Sequence, residues 1–274
     1  MHTKEIRLIA MDMDGTLLDR SQRIAPQEQE ALKAAREKGV ALAICSGRMP
    51  GDIARFLRDA GVQDCAVLSL NGAYCLTCPP QGVFVNETLQ ESALKQCVDA
   101  MLAAGVTFGC FSQNRLAVVP GGFREDRNEW GTHWDGFYAP EYFYGLDAFW
   151  RIASEGTNKL LCMAHDEAVI AGLRRTFEPI AGLSVTSSWV LNLELMPAGV
   201  NKGTAVAAMA QKLGLDAGQV MAIGDYDNDV PMLAYAGVGV AMGNASPAAR
   251  SAASFTTLSN AQHGVAEAIR RYVL

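Results

Sequence analysis

The stretch RLIAMDMDGTLLD, Arg7–Asp19, decides the fold. An apolar run, Leu8–Met11, ends in Asp12; one residue later comes Asp14, followed by Gly15 and Thr16. A short continuous apolar run that stops at a polar cluster reads as a strand covered on both faces, as in a parallel sheet. Two carboxylates this close repel each other and are costly to desolvate. A DxD alone can cap a turn, which leaves both a structural and a catalytic reading open. The longer DxDGTL arises by chance in roughly one chain in several thousand at residue frequencies of a few per cent each.

Working outward, strand-like runs alternate with amphipathic helical stretches. PQEQEALKAAREKG reads as a helix opened by Pro26 and closed by Gly39, the usual asymmetry of helix ends. VALAIC is a second apolar strand, PGDIARFLRDAG a helix with Ile53, Phe56, Leu57 and Ala60 on one face, and CAVLSL a third strand. The C-terminal third repeats this grammar: KGTAVAAMAQKLG is helical, QVMAIG a strand, DVPMLAYAG a short helix, VGVAM a strand and GVAEAIRRYVL the last helix. Such alternation predicts a parallel sheet with right-handed crossovers, an α/β fold.

The middle differs. ETLQESALKQCVDAMLAAG reads as a helix with a capping box from Thr88 to Glu91. Shorter, more polar strand signals follow, and 12 of the 21 Phe, Trp and Tyr residues fall between Phe108 and Trp150. DEAVIAGLRRTF is a helix, and LSVTSSWVLNLELMP one or two strands. This pattern predicts an α+β domain over 85–189, inserted into an α/β domain of 1–84 and 190–274. Its aromatics suit the domain's own core or a substrate pocket. Arg115, Arg124, Arg127 and His133 are candidate contacts to an anionic ligand or plain surface residues.

Composition narrows the function. The 274 residues are 50% hydrophobic and 19% charged, with a formal net charge of −6, so bulk attraction to nucleic acid is not expected. An 18-residue apolar run is absent, and no membrane partner is expected. The N-terminus lacks a small-residue cleavage site and is not read as a signal peptide. Seven cysteines in apolar context read as buried thiols of a reducing compartment, which suggests a cytoplasmic protein. CLTC, Cys75–Cys78, is a lone CxxC without a second ligand pair, and the four histidines show no ligand spacing, so a zinc site is not predicted.

In an open parallel sheet, ligands bind beyond the carboxyl ends of the strands. RLIAM ends in Asp12 and Asp14, VALAIC in Ser46-Gly47-Arg48, AVLSL in Asn71-Gly72, and QVMAIG in Asp225 with Asp227, Asn228 and Asp229 behind it. Lys202 opens the helix after LELMPAGVN. Individually, each is a common turn, a surface lysine or a helix cap. Together, several carboxylates at one edge need a cation, and oxygen-only ligands favour Mg²⁺. A hydroxyl, a lysine and backbone N–H groups near Gly15 and Gly47 suit phosphate oxygens. A carboxylate beside a metal is a competent nucleophile toward phosphorus, and a second acid can serve the leaving group and then water.

DMDGTLL, SGR, NKG and GDYDNDVPML resemble the four motifs of the haloacid-dehalogenase superfamily, and the large insert between the second and third is similar to that of its Cof-type phosphatases, as is SLNGA. The resemblance implies a Rossmann-like parallel-sheet core with an inserted α+β cap domain. It implies that Asp12 is the nucleophile and a Mg²⁺ ligand, and that Asp14 is the general acid/base with its carbonyl on the metal. It implies that Ser46 binds the phosphoryl group, that Lys202 offsets charge on Asp12 and phosphate, that Asp225 binds metal and that Asp229 supports the metal's waters or Lys202. Gly47, Arg48, Asn71 and Asn228 are placed nearby, touching phosphate or substrate. The implied function is a Mg²⁺-dependent phosphatase of small phosphorylated metabolites, such as sugar phosphates, pyridoxal phosphate or flavin mononucleotide. The alternatives are a phosphotransferase or mutase using the same aspartyl-phosphate, a non-catalytic phosphometabolite sensor, and a phospho-acceptor signalling domain, against which the insert argues. Oligomeric state is left open.

Overall fold

The structure, a computed structural model, describes residues 5–62, 64–77, 82–121 and 141–274. The chain divides into two compact units: Met1–Arg48, Ile53–Val85 and Asn201–Leu274 form one, and Met49–Asp52 and Asn86–Val200 the other.

The first unit is an α/β fold around an eight-stranded sheet. Its strands are β1 (Leu8–Met11), β2 (Ala41–Cys45), β3 (Cys65–Ser69), β4 (Tyr74–Leu76) and β5 (Val83–Asn86), and, after the insert, Val220–Gly224, Val238–Ala241 and Phe255–Thr256. The insert contributes six strands to a second sheet: β6 (Thr107–Ser112), β7 (Arg115–Val119), β8 (Glu141–Tyr144), β9 (Lys159–Met163), β10 (Leu183–Thr186) and β11 (Asn192–Pro197). The three late strands of the first sheet are therefore β12, β13 and β14.

The first sheet runs in the order β14-β13-β12-β1-β2-β3-β4-β5, parallel from β14 to β3, with β4 antiparallel to β3. β1, β3, β12 and β13 are buried along their full length, which is why they read as unbroken apolar runs. The helix Pro26–Glu37 packs with Gly264–Tyr272, and Lys202–Lys212 with Val230–Tyr235. Strand order grows outward from β1 through β2 and β3 on one side and through β12, β13 and β14 on the other. The β1/β12 boundary is thus the topological switch point, where the sheet opens a crevice at its carboxyl edge.

The second unit is α+β. Its sheet, β10-β11-β9-β6-β7-β8, is antiparallel except for the β7–β8 pair. Helices Glu91–Ala103, Leu146–Ala153 and Glu167–Phe177 supply its core with Leu94, Val98, Phe149 and Phe177. Phe108 and Phe149 meet edge to face at 5.4 Å, so these two aromatics serve the unit's own core. β11 pairs with β9 and lies in this sheet. Phe123, Trp130, Trp134, Phe137, Tyr138, Arg124, Arg127 and His133 lie outside the described residues; Arg115 pairs with Glu155 at 2.8 Å.

One local expectation is corrected. The helix Glu91–Ala103 has Gln90 at its N-cap and no side-chain cap bond, so the Thr88–Glu91 box does not form; Glu91 instead pairs with Lys95 one turn on. Among the described residues, no helix is long and apolar enough to cross a membrane.

Candidate active site

Register brings the site together before any side chain is considered. Met11 is level with Ile223 on one side and Ile44 on the other, and the Asp12 N–H donates to the Ile223 carbonyl at 3.0 Å. Asp12 and Asp225 therefore leave neighbouring strands at one edge, with Ser46 beside them. After Asp12 the chain turns tightly: the Leu18 N–H donates to the Met13 carbonyl at 2.8 Å, and Gly15 takes φ +78°. A Cβ on Gly15 would stand 2.3 Å from Asp225 Oδ2, so glycine is required both for the turn and for the carboxylate's approach.

Lys202 enters from the start of its helix. Asn201 caps that helix, accepting the Thr204 N–H at 3.0 Å. Gly203 lets the helix close on the next one, because a Cβ there would lie 2.6 Å from the Pro231 carbonyl oxygen. The lysine, 1% exposed, donates to Asp12 Oδ1 and Asp229 Oδ1, each at 2.6 Å. Asp229 folds back over Gly224, and its Oδ2 accepts the N–H groups of Asp225 and Tyr226 at 2.8 and 2.9 Å. It makes no cap bond to the helix Val230–Tyr235 that it precedes, but through the Tyr226 N–H it closes the short turn Asp227–Asp229 in capping-box fashion.

Asp225 is held on both oxygens. Thr16 Oγ1 donates to Oδ1 at 2.8 Å and Asn244 Nδ2 reaches Oδ2 at 3.3 Å. Carboxylate oxygens of Asp12, Asp225 and Asp229, all buried, lie within 4.8 Å of one another. Burial pushes the Asp12 carboxyl well above its ordinary range, with Lys202 opposing and Asp229, Asp225 and Asp14 adding to the rise. Burial also raises Asp225 to about 6, helped by Asp229 and opposed by the Thr16 hydrogen bond. For Lys202 burial works against the charge, but Asp12 and Asp229 outweigh it and hold the proton on. Three buried carboxylates around one ammonium thus form an all-oxygen donor set with excess negative charge. That set fits a hard divalent cation, which would lower both raised carboxyls.

The remaining predicted residues fall around this centre. The Arg48 guanidinium donates in fork geometry to Asp14, Nε at 2.7 Å and an Nη at 2.6 Å, and also to Gln22 Oε1 at 2.9 Å. Asp14 is about half exposed, and its carboxylate stands outside the buried triad. Ser46 is buried and its Oγ accepts the Arg48 N–H at 3.2 Å, with Gly47 between them in the turn. Leu70, Asn71 and Gly72 all take positive φ, at 51°, 55° and 99°. This kinked segment ties β3 to the end of β2 through Leu70 N–H to the Arg48 carbonyl and Asn71 N–H to the Ser46 carbonyl. Asn228 Nδ2 reaches Asn71 Oδ1 at 3.4 Å. Cys75 of the CxxC is buried and Cys78 lies outside the described residues; among the described residues, the carboxylate triad is the one metal-competent cluster.

Thr16 and Asn244 carry no role in the sequence reading. Thr16 sits inside DGT itself. Asn244 follows VGVAM, a strand end to which the edge rule also applies.

A profile of the haloacid dehalogenase-like hydrolases matches residues 9–269. The chain belongs to that family. It is 30% identical over 272 residues to the 5-amino-6-(5-phospho-D-ribitylamino)uracil phosphatase YcsE of Bacillus subtilis, covering 98% of this chain and 97% of that one. It is 29% identical over 249 residues to the HMP-PP phosphatase of Cronobacter sakazakii, covering 88% and 85%. Its fold matches a haloacid dehalogenase-like hydrolase from B. subtilis with a TM-score of 0.86 at 23% identity, over 98% and 100% of the two chains. The family's α/β core with a parallel sheet is the fold described above, and membership makes this chain an enzyme of the phosphoric monoester hydrolase class.

Proposed function

We propose that the chain is a Mg²⁺-dependent phosphatase of small phosphorylated metabolites, working through a phosphorylated Asp12. The observation that carries this reading is Asp12 itself. It is buried at the switch point of the sheet, bonded to Lys202 at 2.6 Å, and shares a cluster with Asp225 and Asp229. Asp12 Oδ1 is bound by Lys202, while Oδ2 accepts no bond among the described residues and is the oxygen positioned to attack phosphorus.

When bound by Asp12, Asp225 and the Asp14 carbonyl, Mg²⁺ supplies charge neutralisation for the phosphate. Lys202 neutralises the nucleophile and the transferring group without leaving its two carboxylates. The Ser46 hydroxyl donates to a phosphate oxygen, and the Asn71 and Asn228 amides orient the group with the backbone of Gly47. Asp14 protonates the leaving oxygen, then takes a proton from the water that cleaves the aspartyl-phosphate, and Arg48 holds its carboxylate in place. Catalysis on this account is mainly positioning and electrostatic stabilisation. Substrates named for the relatives, a phosphoribitylamino-uracil and HMP-PP, support small phosphorylated metabolites as the class. The inserted unit acts as the cap, and six buried cysteines outside any disulfide among the described residues suit a reducing cytoplasmic setting.

The test is phosphate release from a panel of phosphorylated sugars and cofactors with and without Mg²⁺, with Asp12→Asn as the blank. Metal-dependent release above the blank supports the reading. A phosphorylated acceptor formed in place of free phosphate when a sugar hydroxyl is added favours transfer, and neither release nor transfer from any substrate contradicts the reading.

A further inference from the structure

Asn244 is exposed, yet its amide is fully engaged. Its Nδ2 donates to the Gly15 carbonyl at 2.8 Å and reaches Asp225 Oδ2 at 3.3 Å, while its Oδ1 accepts the Asn260 N–H at 3.0 Å. The amide's orientation is fixed by these partners, since a carbonyl needs a donor and an N–H an acceptor. Asn260 in turn donates through Nδ2 to the Leu18 carbonyl at 2.9 Å. Behind Asn244 the loop is pinned: the Met242 N–H donates to the Gly224 carbonyl at 3.0 Å and the Gly243 N–H to Leu258 at 2.9 Å. A Cβ on Gly243 would lie 2.6 Å from the Ser259 nitrogen, so the two loops touch backbone to backbone.

We propose that Asn244 is a positioning residue of the metal site, acting through Asp225 and the Gly15 turn rather than on substrate. Thr16 fixes one oxygen of Asp225 from within the turn and Asn244 fixes the other from the end of β13. The carboxylate is thereby held between two donors, and the same amide locks the turn that carries Asp14. Removing the amide frees one oxygen of Asp225 and loosens the turn, which lowers metal affinity. Outer-shell partners of metal ligands typically matter by about 10- to 100-fold in affinity. The inference rests on the metal-site reading above, and the test keeps the two apart.

The probe is Mn²⁺, a paramagnetic stand-in for Mg²⁺, titrated into the metal-free protein and followed by the EPR signal of the free ion. Asn244→Ala is expected to weaken binding about tenfold or more, with only a small fall of its thermal midpoint in EDTA, because hydrogen bonds of an exposed side chain add little to stability. Asn244→Leu, which keeps the side chain's bulk but cannot donate to Gly15 or Asp225, is expected to show the same loss if the amide is what matters. Asp225→Asn tests the site itself. If Asp225→Asn binds Mn²⁺ like the wild type, the metal-site reading fails. If Asp225→Asn loses binding while Asn244→Ala and Asn244→Leu keep wild-type affinity, the positioning role alone is overturned. A midpoint that falls in EDTA without any change in affinity also overturns it, because the amide would then serve the fold only.

Discussion

Lys202 lies between two buried carboxylates, Asp12 and Asp229, and this makes the site sensitive to single side chains. Lys202→Ala leaves Asp12 and Asp229 facing each other without their cation. In EDTA at neutral pH this should destabilise the fold by about 3–5 kcal/mol, the usual result of stripping one partner from a buried ion pair; urea denaturation measures it. A loss below about 1 kcal/mol would contradict the buried ion-pair reading of Lys202. Asp12→Asn has the opposite profile. Lys202 keeps its bond to Asp229, so the fold should survive with an unchanged circular dichroism spectrum, while turnover falls by about 10⁴-fold or more, as expected when a nucleophile is removed. The acids were legible because they follow apolar runs, and Lys202 because it opens a helix after one. Thr16 and Asn244 were not, since neither hydroxyl nor amide betrays its partner without the register that brings β1, β12 and β13 together.

At the scale of elements, the turn after β1 and the loop after β3 shape the site more than any helix does. Gly15 and Gly39 offer a matched comparison, with φ of +78° and +80°. A Cβ on Gly39 meets nothing within 4 Å, whereas one on Gly15 meets Asp225. Gly39→Ala should therefore cost only backbone strain, about 1–2 kcal/mol, and leave kcat/KM intact. Gly15→Ala should pay that strain and also displace Asp225, abolishing metal-dependent turnover. Equal activity in the two variants would show that the turn does not set the carboxylate. Alternation of strand and helix was readable from apolar runs and helix ends. The failed Thr88–Glu91 box shows the limit: a four-residue pattern predicts a cap only if the chain enters the helix at that residue, and here entry comes at Gln90.

For the whole molecule, the charge of the site couples stability to pH. Asp225 moves from its ordinary value of 3.8 up to about 6. The folded state keeps this proton where the unfolded chain has lost it, so the contribution to stability falls as pH rises from about 4 to about 6 and stays low above. Two pH units correspond to about 3 kcal/mol. In EDTA, urea midpoints of the wild type should fall over that window relative to Asp225→Asn, and Mg²⁺ should reverse the fall at neutral pH. Parallel curves for the two proteins contradict the assignment. The thiols give a second global readout. Among the described residues, six of the seven cysteines are buried and outside any disulfide, and burial pushes Cys75, Cys97, Cys110 and Cys162 to about 12. Ellman's reagent at mildly alkaline pH should react quickly with no more than one thiol in the native protein and with all seven in denaturant. Rapid labelling of several native thiols would count against the packed cores. Both units were foreseeable as an α/β part and an α+β insert, because their apolar periods differ. Which aromatic goes to the core and which to a ligand is a matter of packing that periodicity does not encode, as Phe108 and Phe149 illustrate.

The central claim is that Asp12 carries the phosphoryl group. The most direct measurement is acid quenching during turnover, borohydride reduction and peptide mass spectrometry, since an aspartyl-phosphate is reduced to homoserine. The account predicts homoserine at position 12, dependent on Mg²⁺ and lost in Asp12→Asn. Phosphate release continuing in Asp12→Asn at the wild-type rate, or homoserine appearing at another aspartate, would contradict it.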